Sequence, residues 1–278
     1  MNILEQIIAT KQQEVAAARK QKSLAALEAE ATATTRRAYS LRAALLGSQT
    51  GIIAEFKRKS PSKGFIKEHA EITSITTGYA QAGAAVLSIL TDRDYFAGDL
   101  NDLQTARPHL SIPILRKDFI IDPYQICQAR IAGADAILLI AAALTPGQVE
   151  RLAAYAHALG LEVLLEIHRA EELDALCSSV DVGGVNNRDL TTFHTDPAQS
   201  FALIQHIPQQ FVKISESGLA DPQTVAQLHQ AGFNGFLMGE RFMKTADPAA
   251  ALQAFIQELN HCSTHKNPDH ENQNLWHA

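Results

Sequence analysis

Residues 51–60 read Gly51-Ile52-Ile53-Ala54-Glu55-Phe56-Lys57-Arg58-Lys59-Ser60, a short apolar run that passes directly into charge. The same form recurs downstream. Ile112 to Leu115 leads into Arg116, Lys117 and Asp118, Leu161 to Leu165 leads into Glu166, and Phe211 to Ile214 leads into Ser215 and Glu216. Lys and Glu are rarely buried without a partner, and an unpaired buried charge is costly. Strands that end this way need one polar pocket in common. The C-terminal ends of the strands of a closed parallel barrel converge on such a face.

Working outward from these runs, eight strands are expected at 51–56, 84–90, 112–117, 135–140, 161–166, 181–185, 211–215 and 234–239. All are rich in Val, Ile and Leu, as parallel strands buried on both faces should be. Helical stretches separate most of them: Thr145-Pro146 opens one that Gly160 closes, and Asp221-Pro222 opens one that Gly232 closes. Gln81-Ala82-Gly83-Ala84, Ile131-Ala132-Gly133-Ala134 and Gln230-Ala231-Gly232-Phe233 form a weak repeat, each just before an apolar run. An open doubly wound sheet is disfavoured, because no G-x-G-x-x-G follows the first strand. The expectation is an α/β chain, an eight-stranded parallel (β/α)8 TIM barrel over 49–260. An N-terminal helical extension over 1–48 precedes it, and a polar, disordered tail over 261–278 follows. In the extension Leu4, Ile7, Ile8 and Val15 share a face, Lys11, Gln12 and Arg19 fall mostly elsewhere, and Ser23 caps a second helix.

Composition fits a one-domain enzyme of 278 residues, 46% hydrophobic, which excludes disorder for most of the length. A formal charge of -6 argues against nucleic acid or an anionic membrane as the main partner. Cys127, Cys177 and Cys262 lack C-x-x-C spacing and read as reduced thiols of a cytoplasmic protein. Neither a signal peptide nor a bilayer-length apolar run is evident.

In an extended strand Glu55, Lys57 and Lys59 share one face, and a carboxylate beside ammonium groups makes a coupled acid/base pair. A solvated basic strand edge is the alternative. Lys117 is a second candidate cation, with a structural ion pair as its plainer role. Glu166 ends an apolar strand as a general base would, or simply pairs with a neighbouring Lys. His168 lies past that strand end and reads as structural. Asn186, Asn187 and Arg188 offer amides and a guanidinium that hold a substrate or cap a loop. Ser215-Glu216-Ser217-Gly218 and Met238-Gly239-Glu240 end the last two strands, where this barrel commonly grips phosphate, with Lys59 and Ser60 placed to join.

Taken together, segments 54–62, 114–119, 164–168, 185–190, 214–218 and 236–243 resemble the indole-3-glycerol-phosphate synthase family of tryptophan biosynthesis, over about residues 3 to 260. The resemblance implies a small phosphorylated substrate, 1-(2-carboxyphenylamino)-1-deoxyribulose 5-phosphate. Ring closure with loss of carbon dioxide and water converts it to indole-3-glycerol phosphate. By this resemblance Lys117 is the general acid on the ribulose carbonyl, and Glu166 the acid/base group on the substrate hydroxyl and ring nitrogen, assisted by Glu55. Lys57 sits near the anthranilate carboxylate and serves dehydration. Asn186, Arg188, Glu216 and Ser217 orient the substrate, and Asn186 counts with the catalytic set. Lys59, Ser60, Gly218 and Gly239 hold phosphate, and Phe96, Phe119 and Leu190 surround the anthranilate ring. No metal or organic cofactor is implied, and a monomer or weak homo-oligomer is expected. Glu240 departs from the Ser of many relatives, so its carboxylate is expected to turn away from the phosphate. The alternatives are a phosphoribosylanthranilate isomerase-like barrel, which needs an Asp/Cys pair while Cys127 and Cys177 fall in expected helices, and a barrel that only binds a phosphorylated metabolite.

Overall fold

The computed structural model describes residues 2–189 and 192–264. Eight parallel strands close a barrel: β1 (Ile52–Phe56), β2 (Val86–Leu90), β3 (Ile114–Lys117), β4 (Ala136–Ile140), β5 (Glu162–Ile167), β6 (Val182–Asn186), β7 (Val212–Glu216) and β8 (Gly235–Met238). Each strand pairs with its neighbours in chain order, and β8 returns to β1 in the register Ile52 to Phe236. The observed strands mostly start a residue or two inside the expected ones, where the loop from the preceding helix enters.

Two apolar layers explain why the barrel is closed. Ile53, Val86, Leu115, Leu138, Leu164, Val182, Val212, Ile214 and Leu237 fill its interior, and Leu41 and Leu45 from the short helix Leu41–Gly47 pack into the same cluster. Burying each such side chain contributes about 1.5–3 kcal/mol. The opposite parity of the same strands, including Ile52, Ala54, Ile89, Ile137 and Leu165, packs outward against the helices.

Three helices precede the barrel. The first, α1, spans Ile3–Gln21, is capped by Asn2 with Glu5 in a capping box, and Ser23 caps the next, Leu24–Ala33. One expectation about α1 is overturned. Lys11 lies on its inward face with Ile7 and Val15 and is 2% exposed. Spacing of four residues puts all three on one stripe, and buried carboxylates downstream accept the charge. Cys177 falls in a loop, because the segment before it forms only a 3-10 helix, Ala170–Ala175. The last helix runs Pro248–Thr264, past the expected boundary at 260, with Leu252, Phe255 and Leu259 buried against the barrel. The rest of the expected tail lies outside the described residues. Among those described, no helix is long and apolar enough to cross a membrane.

Candidate active site

Strand parity carries the charged residues inward. Ile53 faces the barrel interior, so Glu55 does too; Leu115 takes Lys117 with it, Leu164 takes Glu166, Val182 takes Asn186, and Ile214 takes Glu216. All five line one cavity of about 470 Å³ at the C-terminal ends of the strands, a volume suited to a small molecule. Arg116 has the other parity. It turns out of the barrel and donates to the Gln125 carbonyl at 2.6 Å and to Asp118 at 3.0 Å.

At the cavity floor Lys117 Nζ lies 3.2 Å from Glu166 Oε2 and 3.9 Å from Glu216 Oε2. Lys57 Nζ donates to Glu55 Oε1 at 2.5 Å. Two glycines make room for this crowding: a Cβ on Gly184 would stand 2.3 Å from Glu216 Oε1, and one on Gly239 would stand 2.7 Å from Glu55 Oε1. Gly239 therefore serves a carboxylate as well as any anion above it.

The neighbours divide the carboxyl groups into two kinds. Burial pushes Glu166 up, but Lys117, then His168 and Asn186, outweigh it and hold the group at about 2. Burial, reinforced by Glu166 and Glu55, raises Glu216 well above the usual carboxylate range against the pull of Lys117. Burial lowers Lys117, yet Glu166, Glu216 and Glu55 together raise it above its ordinary value. The floor thus holds a charged ammonium, an ionised carboxylate acceptor and a carboxyl group shifted toward its protonated form side by side, which is the equipment of acid–base catalysis.

Phe96 and Phe119 form one wall, with ring centroids 6.0 Å apart. The loops after β6, β7 and β8 form the other, where Arg188, Ser217, Gly218, Gly239 and Glu240 line the cavity. Asn187 is the loop cap: it donates to Ser215 Oγ and the Ser217 carbonyl, and its own oxygen accepts from Ser200, which frees Asn186 and Arg188 for the cavity. His168 is 8% exposed, with Nε2 3.4 Å from Glu166 Oε1, so it backs the site from outside the cavity.

Two expectations are corrected here, and one falls outside view. Lys59 and Ser60 do not line the cavity, because β1 ends at Phe56 and the chain turns into a hairpin of Lys59–Ser60 with Gly64–Phe65. Lys59 donates to the Asp94 carbonyl at 2.9 Å, and the cavity meets Pro61, Ser62 and Lys63 at the hairpin tip instead. Glu240 does not turn away: it pairs with Lys63 at 2.5 Å and lies 4.0 Å from Arg188, and although burial opposes it, Lys63 leads the cations that lower its pKa. Leu190 lies outside the described residues. The extension supplies cavity residues that strand-end reasoning could not find, Ile3, Leu4 and Ile7 of α1, along with Phe193 and Thr195 beyond β6. None of the three cysteines lines the cavity, so the Asp/Cys pair of the isomerase reading has no counterpart here. Among the described residues no group of His, Cys, Asp and Glu is arranged to hold a metal ion.

Comparison with known proteins fits this geometry. A family model described as indole-3-glycerol phosphate synthase matches residues 4–255. The chain belongs to the indole-3-glycerol phosphate synthase family. The protein of that name from Bacteroides thetaiotaomicron is 52% identical over 258 residues, covering 93% of this chain and 99% of the relative. Those of Dechloromonas aromatica and Burkholderia vietnamiensis are 46% and 45% identical, each covering 90% of this chain and 97% of the relative. Among solved structures, 3-hexulose-6-phosphate synthase from Salmonella typhimurium superposes with a TM-score of 0.60 at 13% identity, covering 76% of this chain and 99% of that one. That likeness concerns the barrel alone.

Proposed function

We propose that this cavity closes the indole ring of indole-3-glycerol phosphate, as a carboxy-lyase acting on 1-(2-carboxyphenylamino)-1-deoxyribulose 5-phosphate. The observation that carries the reading is the Lys117 ammonium, held between Glu166 and Glu216 beside the Phe96–Phe119 wall. The aromatic ring lies against that wall. The phosphate sits across the mouth on Arg188, Ser217, Gly218 and Gly239, with Lys63 of the hairpin tip beside them.

Lys117 donates its proton to the ribulose carbonyl oxygen while the ring carbon bearing the carboxylate attacks the carbonyl carbon. A C–C bond forms and the oxygen becomes a hydroxyl. The bond to the carboxylate then breaks, carbon dioxide leaves, and its electron pair restores the aromatic ring. In the last step the hydroxyl departs as water with a proton from an acid of the floor. Glu166, ionised at neutral pH, takes a proton from the methylene carbon beside the ring nitrogen, whose lone pair assists departure of the hydroxyl, and the indole double bond forms between the two carbons. Lys57, paired with Glu55, faces the substrate carboxylate and serves the dehydration, and Asn186 orients Glu166. Residues 49–260 act as the catalytic domain, with α1 as part of its roof. A barrel that merely binds the phosphorylated compound would have no use for two carboxyl groups on one ammonium shifted in opposite directions, Glu166 down and Glu216 up. Incubating the protein with the synthetic substrate and following indole fluorescence separates the two: a binder gives no signal, and an isomerase gives none either.

A further inference from the structure

Lys11 has no part in the chemistry above, yet its ammonium is buried against three carboxylates. Nζ stands 2.8 Å from Asp92 Oδ2, 2.9 Å from Glu14 Oε2 and 3.2 Å from Asp118 Oδ1, and Asp92 and Asp118 are 0% and 2% exposed. Each of these two aspartates also shapes a loop of the cavity. Asp92 Oδ1 accepts the backbone N–H of Tyr95 at 2.8 Å and of Phe96 at 3.2 Å. Asp118 follows Lys117 in the chain, and its Oδ1 accepts the N–H of Phe119 at 2.8 Å. One cation therefore links α1 to both loops that present the aromatic wall. We propose that Lys11 is a positioning residue for the aromatic-ring subsite, setting the spacing of Phe96 and Phe119 through Asp92 and Asp118.

The charges explain why a lysine stands here. Asp118 has a second cation, since Arg116 donates to its Oδ2 at 3.0 Å. Asp92 is paired with Lys11 alone among the ion pairs of the described residues. Without the ammonium, a buried carboxylate is left uncompensated, and it must reach water or take up a proton. Either response pulls on the turn that carries Phe96. A buried ion pair is an inefficient way to add stability, since apolar packing does that as well or better. Its effect is on register: α1 has one placement that meets both carboxylates. That placement also sets Ile3, Leu4 and Ile7, which line the cavity from the same helix.

This inference rests on the proposed position of the aromatic ring, and the test keeps the two apart. Anthranilate serves as the probe of the ring subsite and inorganic phosphate as the probe of the opposite rim. Both are titrated against the wild type, Lys11→Met, Asp92→Asn and Phe119→Ala. Lys11→Met is expected to weaken anthranilate about tenfold, within the usual range of coupling between sites, and to raise KM more than it lowers kcat. Phosphate affinity should stay within about twofold, as for independent positions. Asp92→Asn keeps the turn cap and removes only the charge facing Lys11, so it shifts anthranilate in the same direction. It decides the question should Lys11→Met fail to fold. If Phe119→Ala does not weaken anthranilate, or the wild type does not bind it, the ring placement is wrong. If Phe119→Ala weakens it while Asp92→Asn and folded Lys11→Met bind it normally, the role of Lys11 is overturned. Parallel loss of anthranilate and phosphate binding in Lys11→Met overturns it as well, because a general loosening of the fold affects both.

Discussion

Lys117 stands among Glu166, Glu216 and Glu55, whose charges hold its proton. Lys117→Met removes the acid that meets the carbonyl, and turnover should fall at least ~10²-fold with a modest change in KM. Near-normal turnover in a folded variant would move the acid role to Lys57. Glu216 and Glu166 face the same ammonium but are shifted in opposite directions, Glu216 upward by burial and the neighbouring carboxylates and Glu166 downward by Lys117. Glutamine mimics a neutral carboxylic acid in shape and charge. Glu216→Gln should therefore cost less activity than Glu166→Gln, which removes an ionised acceptor and should lose ~10²-fold or more. Steady-state kcat for the two variants checks this, and equal losses would contradict the assignment. On the far rim Ser217 and Gly218 both have left-handed backbones, φ 66° and 73°, and a Cβ on Gly218 would stand 2.4 Å from Thr195 Cγ2. Gly218→Val should raise KM far more than it lowers kcat, because phosphate is held alike before and during reaction. Glu240→Ser removes an anion next to that site, so inorganic phosphate should compete more strongly in this variant than in the wild type. Unchanged competition would place the phosphate elsewhere.

At the scale of the element, what could be foreseen follows how far a strand persists. Glu55, Lys117, Glu166, Asn186 and Glu216 were legible because alternation along a buried strand carries each one inward with an apolar partner two residues before it, or four for Asn186, where Gly184 intervenes. Lys59 and Ser60 were misplaced because alternation stops when β1 ends at Phe56. Arg58 then anchors the chain to Asp102, and the hairpin takes its own direction. Lys11 was misread for a related reason: a helical pattern ranks lysine as polar, and its partners lie far downstream in sequence. The tie between α1 and the barrel carries a pH signature. Burial raises Asp118, but Arg116 and Lys11 more than reverse this and lower it from 3.8 to about 2. Its contribution to stability is complete above the unfolded value and fades as pH falls toward the folded one. The difference in Tm between wild type and Asp118→Asn should accordingly shrink between about pH 4 and pH 2. A difference that stays constant over that window would contradict the pairing.

For the whole molecule, the closed barrel gathers side chains from distant parts of the chain onto one face. Eight in-register strands place Glu55 and Glu216, and likewise Lys117 and Glu166, within reach of one another although they are far apart in sequence. The architecture was readable because closure is dictated by strand count, length and two-sided burial. The roof was not, since the order of helices in the extension does not say which of them meets the mouth. The central claim is that this mouth makes an indole. The direct test is to mix the purified protein with synthetic 1-(2-carboxyphenylamino)-1-deoxyribulose 5-phosphate and record indole fluorescence together with released carbon dioxide. Both should appear in equal amounts at a catalytic rate, and both should be lost together in Lys117→Met. Binding of the substrate without either product, or carbon dioxide without indole fluorescence, would contradict it.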